Sequence, residues 1–139
     1  MHIHFVGVNK MVLYKKNITI LLMSAKWLKT KKMTTKEKNI VSQLKEKIKE
    51  KDPSAEIILF GSHARGDAGK ESDWDILVLL NSKNVSFQRE RELRHNLLDV
   101  ELEIGEPISV FVYSKEDWEN KFCFSPFYKN VKEEGILLL

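Results

Sequence analysis

The 139 residues include one cysteine, 42% hydrophobic and 31% charged side chains, and carry a formal net charge of +3. One cysteine excludes an internal disulfide, and no Cys/His cluster has zinc spacing. The charge is uneven: residues 1–33 hold seven lysines and no acid, while residues 34–139 hold 16 Lys+Arg against 20 Asp+Glu, a net −4. The basic excess therefore does not mark the body as a nucleic-acid binder.

The first 33 residues differ in composition from the rest of the chain. Ile18–Ala25 is a largely apolar run flanked by Lys15, Lys16 and Lys26, too short to span a bilayer. Lys26-Trp27-Leu28-Lys29 is a poor cleavage region for a signal peptide. The expectation is that Met33 is the natural start, with residues 1–32 an upstream extension and residues 33–139 the domain. Thr34-x-x-Glu37 is a capping box. Ile40, Val41, Leu44 and Ile48 then recur at helical spacing, and the helix should stop before Asp52-Pro53.

Glu56–Phe60 reads as a short buried strand ending at a glycine turn. Trp74–Leu80 reads as a second, central strand. Ile76, Val78 and Leu80 face one way; Asp73, Asp75, Leu77 and Leu79 face the other. A helix is predicted over Arg89–Ile104, closed by Gly105. Ile108–Tyr113 is a third strand, followed by a short helix over Lys115–Lys121. Pro126–Glu134 is a last helix, and Gly135 releases an apolar tail, Ile136–Leu139. Cys123, between Phe122 and Phe124, is expected to be buried, and Trp118, Phe122, Phe124, Phe127 and Tyr128 are expected to pack. The lysines at 45, 47, 49 and 51 are expected on a solvated helix face.

The chemistry concentrates in Gly61-Ser62-His63-Ala64-Arg65-Gly66 and Ser72-Asp73-Trp74-Asp75. Gly61 lets the chain leave the strand and lets a phosphate approach the backbone. Ser62 offers a hydroxyl and an N–H. Asp73 and Asp75, two apart on a strand, put two carboxylates on one face, where they repel unless a divalent cation such as Mg²⁺ or Mn²⁺ neutralises them. Arg65 is the nearest cation for a triphosphate and could instead pair with Asp67 or Glu71. The spacing is not that of a P-loop, because no Gly-Lys-Ser/Thr comes after it.

The stretch GSHARGDAGKESDWDILV resembles the nucleotidyltransferase domain of the DNA polymerase beta superfamily, and most closely its minimal nucleotidyltransferases. Gly-Ser, ten residues, then Asp-x-Asp is that family's signature. The resemblance implies a small α/β (α+β) domain with a mixed sheet flanked by helices. It implies transfer of a nucleoside monophosphate from an NTP, with ATP expected, to a hydroxyl on a protein or other acceptor. Carried over residue by residue, Gly61 and Ser62 would contact the phosphates, with Arg65 beside them, and Asp73 and Asp75 would be catalytic and bind two Mg²⁺ ions. His63 stands where relatives commonly have arginine and is expected to be peripheral. The resemblance further implies a cytoplasmic enzyme that acts with a HEPN-type helical partner in a toxin–antitoxin module, or as a homodimer.

One departure stands out. Relatives place a third carboxylate on the next strand, and the position aligned to it here is Ser109. Glu101, on the preceding helix, is the candidate substitute. Without that acid the alternative is a catalytically weak nucleotide-binding or protein-interaction module.

Overall fold

A computed structural model describes residues 32–139; the expectation of an upstream extension over residues 1–32 falls almost wholly outside them. The first helix among the described residues, α1 (Thr35–Lys51), starts where the capping box predicts. Thr34 Oγ1 accepts from the Glu37 N–H at 3.1 Å, and the Glu37 carboxylate accepts from the Thr34 N–H at 2.9 Å. Such a cap stabilises a helix by about 1 kcal/mol. Ile40, Leu44 and Ile48 are buried along one face. Each contributes roughly 1.5–3 kcal/mol over its exposed state.

Beyond α1, four strands form one mixed sheet, β1 (Glu56–Phe60), β2 (Trp74–Leu80), β3 (Ile108–Ser114) and β4 (Ile136–Leu137), in the order β3-β2-β1-β4. β2 runs antiparallel to β1 and parallel to β3, so it is central. The parallel connection is made by the long helix α3 (Phe87–Ile104). That helix begins two residues before the predicted Arg89, because the Ser86 hydroxyl accepts from the Arg89 N–H and caps the turn at Phe87.

The alternation read along β2 separates two cores. On one side, Ile57, Leu59, Ile76 and Val78 meet α1 and α3 through Leu44, Leu93 and Leu97. Arg89 bonds Asp52 at 3.2 Å, and the Asn96 amide donates to the Lys47 carbonyl, tying the two helices together. On the other side, Ile58, Phe60, Leu77 and Leu79 meet Trp118 of α4 (Lys115–Asn120) and Val131 of α5 (Pro126–Glu134). A single turn, α2 (Gly61–Arg65), joins β1 to the loop before β2. Among the described residues no helix is long and apolar enough to cross a membrane.

Four expectations change. The apolar tail is a strand: Leu59 pairs with Ile136 and Ile58 with Leu137. Gly135 permits this, since a Cβ there would meet the Val131 carbonyl oxygen at 2.3 Å and Ile58 Cγ2 at 2.9 Å. Phe124 does not pack; it is 93% exposed on the turn between α4 and α5. Cys123 on the same turn is only partly covered, its Sγ 3.8 Å from the Asn120 carbonyl. The α1 lysines are not uniformly solvated, because Lys45 bonds the Leu139 carbonyl and Lys49 bonds the Pro53 and Ala55 carbonyls.

Candidate active site

β1 ends at Phe60 and the chain turns at once. Gly61 adopts φ +74°, a conformation that L side chains rarely take. It opens α2, whose turn is closed when the Ser62 carbonyl accepts from the N–H groups of Gly66 and Asp67 at 2.9 and 3.1 Å. Gly66, left-handed at φ 87°, ends it. The loop returns to β2 through Asp73 and reaches Asp75, which is half-buried near the start of the strand.

The sheet register places the partners. Phe60, Asp75 and Ser109 lie opposite one another across β1, β2 and β3, and so share one face. Ser109 Oγ donates to Asp73 Oδ2 at 3.2 Å. Gly61 lies so close to Asp75 that an added Cβ would stand 2.2 Å from its Oδ2. The structure thus brings Gly61, Asp73, Asp75 and Ser109 together. Ser109, the position aligned to a third acid, stands beside the aspartate pair.

The Asp75 carboxyl is raised above its ordinary value, first by burial and then by the negative charge of Asp73. Glu134 adds to the rise, while His63 and Arg65 oppose it. Arg65 does not neutralise the pair. Its guanidinium bonds Glu134 at 2.7 Å and Asp67 at 3.2 Å, which raises its own pKa, and Glu71 takes no part in these bonds.

Trp74 points to the opposite face, as the alternation along β2 requires. There it stacks on His63 with ring centroids 3.8 Å apart and planes 11° from parallel. His63 is buried, with Nε2 3.4 Å from the Ser72 carbonyl oxygen, so it braces the turn from beneath the sheet, on the face away from the carboxylates. Glu101 is not brought to the aspartates. Its carboxylate accepts from the Ile108 N–H at 3.3 Å, on the helix α3 that covers the other face. It holds the entry to β3. Among the described residues no group of three His, Cys, Asp or Glu side chains is arranged to hold a metal ion.

The family model for the nucleotidyltransferase domain matches residues 41–138, the span from within α1 to the end of β4. The chain belongs to the nucleotidyltransferase family. A Methanocaldococcus jannaschii protein named as a candidate protein adenylyltransferase is 41% identical over 101 residues, covering 73% of this chain and 92% of that protein. A solved toxin–antitoxin structure with AMP-PNP superposes with a TM-score of 0.54 at 18% identity, covering 71% of this chain and 72% of its own. At that identity it shows the fold, which is the small mixed sheet with flanking helices that the signature implies.

As a minimal nucleotidyltransferase, the protein has features at its site that local sequence did not reveal. Glu134 reaches Arg65 from 69 residues away. Phe111 lies on the aspartate face two residues beyond Ser109. No spacing rule links Glu134 to Arg65; for Phe111 the alternation along β3 was the available signal.

Proposed function

We propose that this nucleotidyltransferase moves an AMP group from Mg-ATP to a hydroxyl on a protein acceptor. The observation that carries the reading is the close approach of Gly61 to the Asp75 carboxylate, with Asp73 and Ser109 beside it. Two hydrogens at Gly61, where any other residue has a side chain, leave Asp75 room against the turn.

The donors suit Mg²⁺. That ion keeps waters and takes one or two carboxylates together with substrate phosphates, without needing an all-protein cage. Asp73 and Asp75 would hold it; burial, and after it the negative charge of Asp73, raise the Asp75 carboxyl, and a bound cation would oppose both. When bound, the metal supplies charge neutralisation at the phosphates and lowers the pKa of an oxygen ligand.

The chain's own residues do the positioning. The Gly61–Ser62 turn would seat the phosphate chain, and Arg65 at the far end of α2 would exchange Asp67 for a phosphate oxygen. The acceptor hydroxyl oxygen forms a bond to the α-phosphorus and gives up its proton to water, the bond from that phosphorus to the bridging oxygen breaks, and pyrophosphate leaves with the electron pair. Such catalysis depends on alignment more than on covalent chemistry by the protein.

The name of the methanogen relative supports a protein acceptor, and AMP-PNP in the structural neighbour supports an adenine nucleotide. The toxin–antitoxin neighbour supports a toxin as the proposed acceptor and partner; its HEPN type rests on the resemblance of the signature alone, and a homodimer is the other assembly. Residues 33–139 are proposed as the catalytic domain, and mass spectrometry of the natively expressed protein tests its start.

A second reading is favoured by Ser109. A hydroxyl in the third acidic position cannot serve as a strong base, so the protein would bind nucleotide without turning it over. Incubation with Mg²⁺, α-labelled ATP and the candidate partner separates the two. Label on the partner that is lost in Asp75→Asn supports transfer. Nucleotide binding with no label under any condition supports the binding module.

A further inference from the structure

The row Phe60–Asp75–Ser109 is succeeded, one step along the same face, by Ile58–Leu77–Phe111. Phe111 is therefore two residues past Ser109, roughly 6–7 Å along the strand. β3 is an edge of the sheet, and Phe111 remains 37% exposed. Its ring is nonetheless fixed. The centroid lies 5.7 Å from that of Phe60 and 5.3 Å from that of Phe127, and those two rings are themselves 5.4 Å apart. Phe87 and Phe124 are more exposed, but among the described residues neither has a ring contact of this kind. Phe111 is thus a braced aromatic surface, open to solvent, on the face that carries the carboxylates.

A nucleoside triphosphate joins a charged phosphate chain, through one sugar, to a flat aromatic base. Its two ends suit different surfaces, a charged one for the phosphates and a flat apolar one on which the base can stack. We infer that Phe111 is the platform on which the base of the bound nucleotide stacks. The inference rests on the reading of Asp73 and Asp75 as the triphosphate end. Packing of Phe60 and Phe127 against Phe111 means that little side-chain freedom is lost when the base arrives. Stacking uses the face of a base and not its edges, so Phe111 contributes affinity and orientation without strict base choice.

The test is calorimetric titration of the full chain in saturating Mg²⁺ with two probes. One is ATP bearing a methylene bridge between the α- and β-phosphates, which cannot transfer; the other is inorganic tripolyphosphate. Phe111→Leu keeps apolar packing but removes the flat ring. It is expected to weaken the ATP analogue roughly 5- to 100-fold, the range that base–aromatic stacking carries, while leaving tripolyphosphate within about twofold. Phe111→Trp is expected to retain the analogue. Equal loss of both probes in Phe111→Leu would assign the ring to structure and overturn the inference. So would an unchanged affinity for the analogue, including the case where transfer to an acceptor falls instead. If the wild type binds neither probe, the triphosphate reading itself fails and takes the stacking role with it; if it binds both, only the behaviour of Phe111→Leu is at stake.

Discussion

A Cβ on Gly61 would sit 2.2 Å from Oδ2 of Asp75. The two residues are 14 apart in sequence and touch because β1 and β2 run antiparallel, with Phe60 directly opposite Asp75. Gly61→Ala is therefore strained twice, by φ +74° and by displacement of the carboxylate. The backbone alone costs about 1–2 kcal/mol. A melt should show that loss, and a label-transfer assay should show about a 100-fold drop, the effect of misplacing a reacting group by an ångström. Near-normal transfer in this variant would mean that Asp75 is not held by the turn.

Asp75→Asn separates stability from activity. A raised folded pKa gives stability that is complete below the ordinary 3.8 and is lost as pH rises through the folded value. Ionising this half-buried carboxyl beside Asp73 is thus a cost to the metal-free fold. In EDTA the asparagine variant should melt above the wild type at neutral pH, and the gap should close on acidification. Mg²⁺ should raise the wild-type melting temperature and leave the variant unmoved, by mass action on the folded state. Transfer by the variant should be absent.

Ser109 is expected to set the rate of the proposed transfer. Ser109→Ala removes only the hydrogen bond to Asp73, worth about 0.5–1.5 kcal/mol or somewhat more to a charged acceptor. Ser109→Asp adds a third carboxylate at a register position opposite Asp75. That variant should melt lower in EDTA, recover in Mg²⁺, and transfer label at least about tenfold faster if a positioned base is what the native site lacks. Parallel melts and rate measurements check both variants, and a slower Ser109→Asp would show that the native hydroxyl is not the limiting feature.

Tyr128 marks the alkaline limit of the α4–α5 side. Burial and then its hydrogen bond to Glu119 push the phenol up to about 12. The folded state therefore keeps the proton while the unfolded chain gives it up, and stability present below about 10 is lost progressively towards 12. Tyr128→Phe should flatten that part of a stability-against-pH curve while leaving the neutral region lower by one hydrogen bond. Urea melts across the alkaline range measure it.

Much of this domain could be read locally. The cap at Thr34, the stops at Asp52 and Gly105, and the two faces of Trp74–Leu80 come from side-chain chemistry within a few residues, and the helices and strands obey them. Ile136–Leu137 escaped because two residues make no period; their strand exists only where β1 offers an unpaired edge. Phe124 escaped for the opposite reason: its aromatic neighbours pack, but the turn between two short helices directs its own side chain outwards.

The sequence by itself determined the chemistry proposed for the site. Gly61-Ser62, ten residues and two aspartates on one strand face need only local geometry to be recognised. Tertiary structure alone decided who stands around them. It gave Arg65 to Glu134, kept Glu101 on the far side of the sheet at the start of β3, and set Ser109 and Phe111 in line with Asp75 and Leu77. Those neighbours come from strands and helices far apart in the chain, and their meeting depends on sheet order and register, which side-chain spacing within any one segment does not encode.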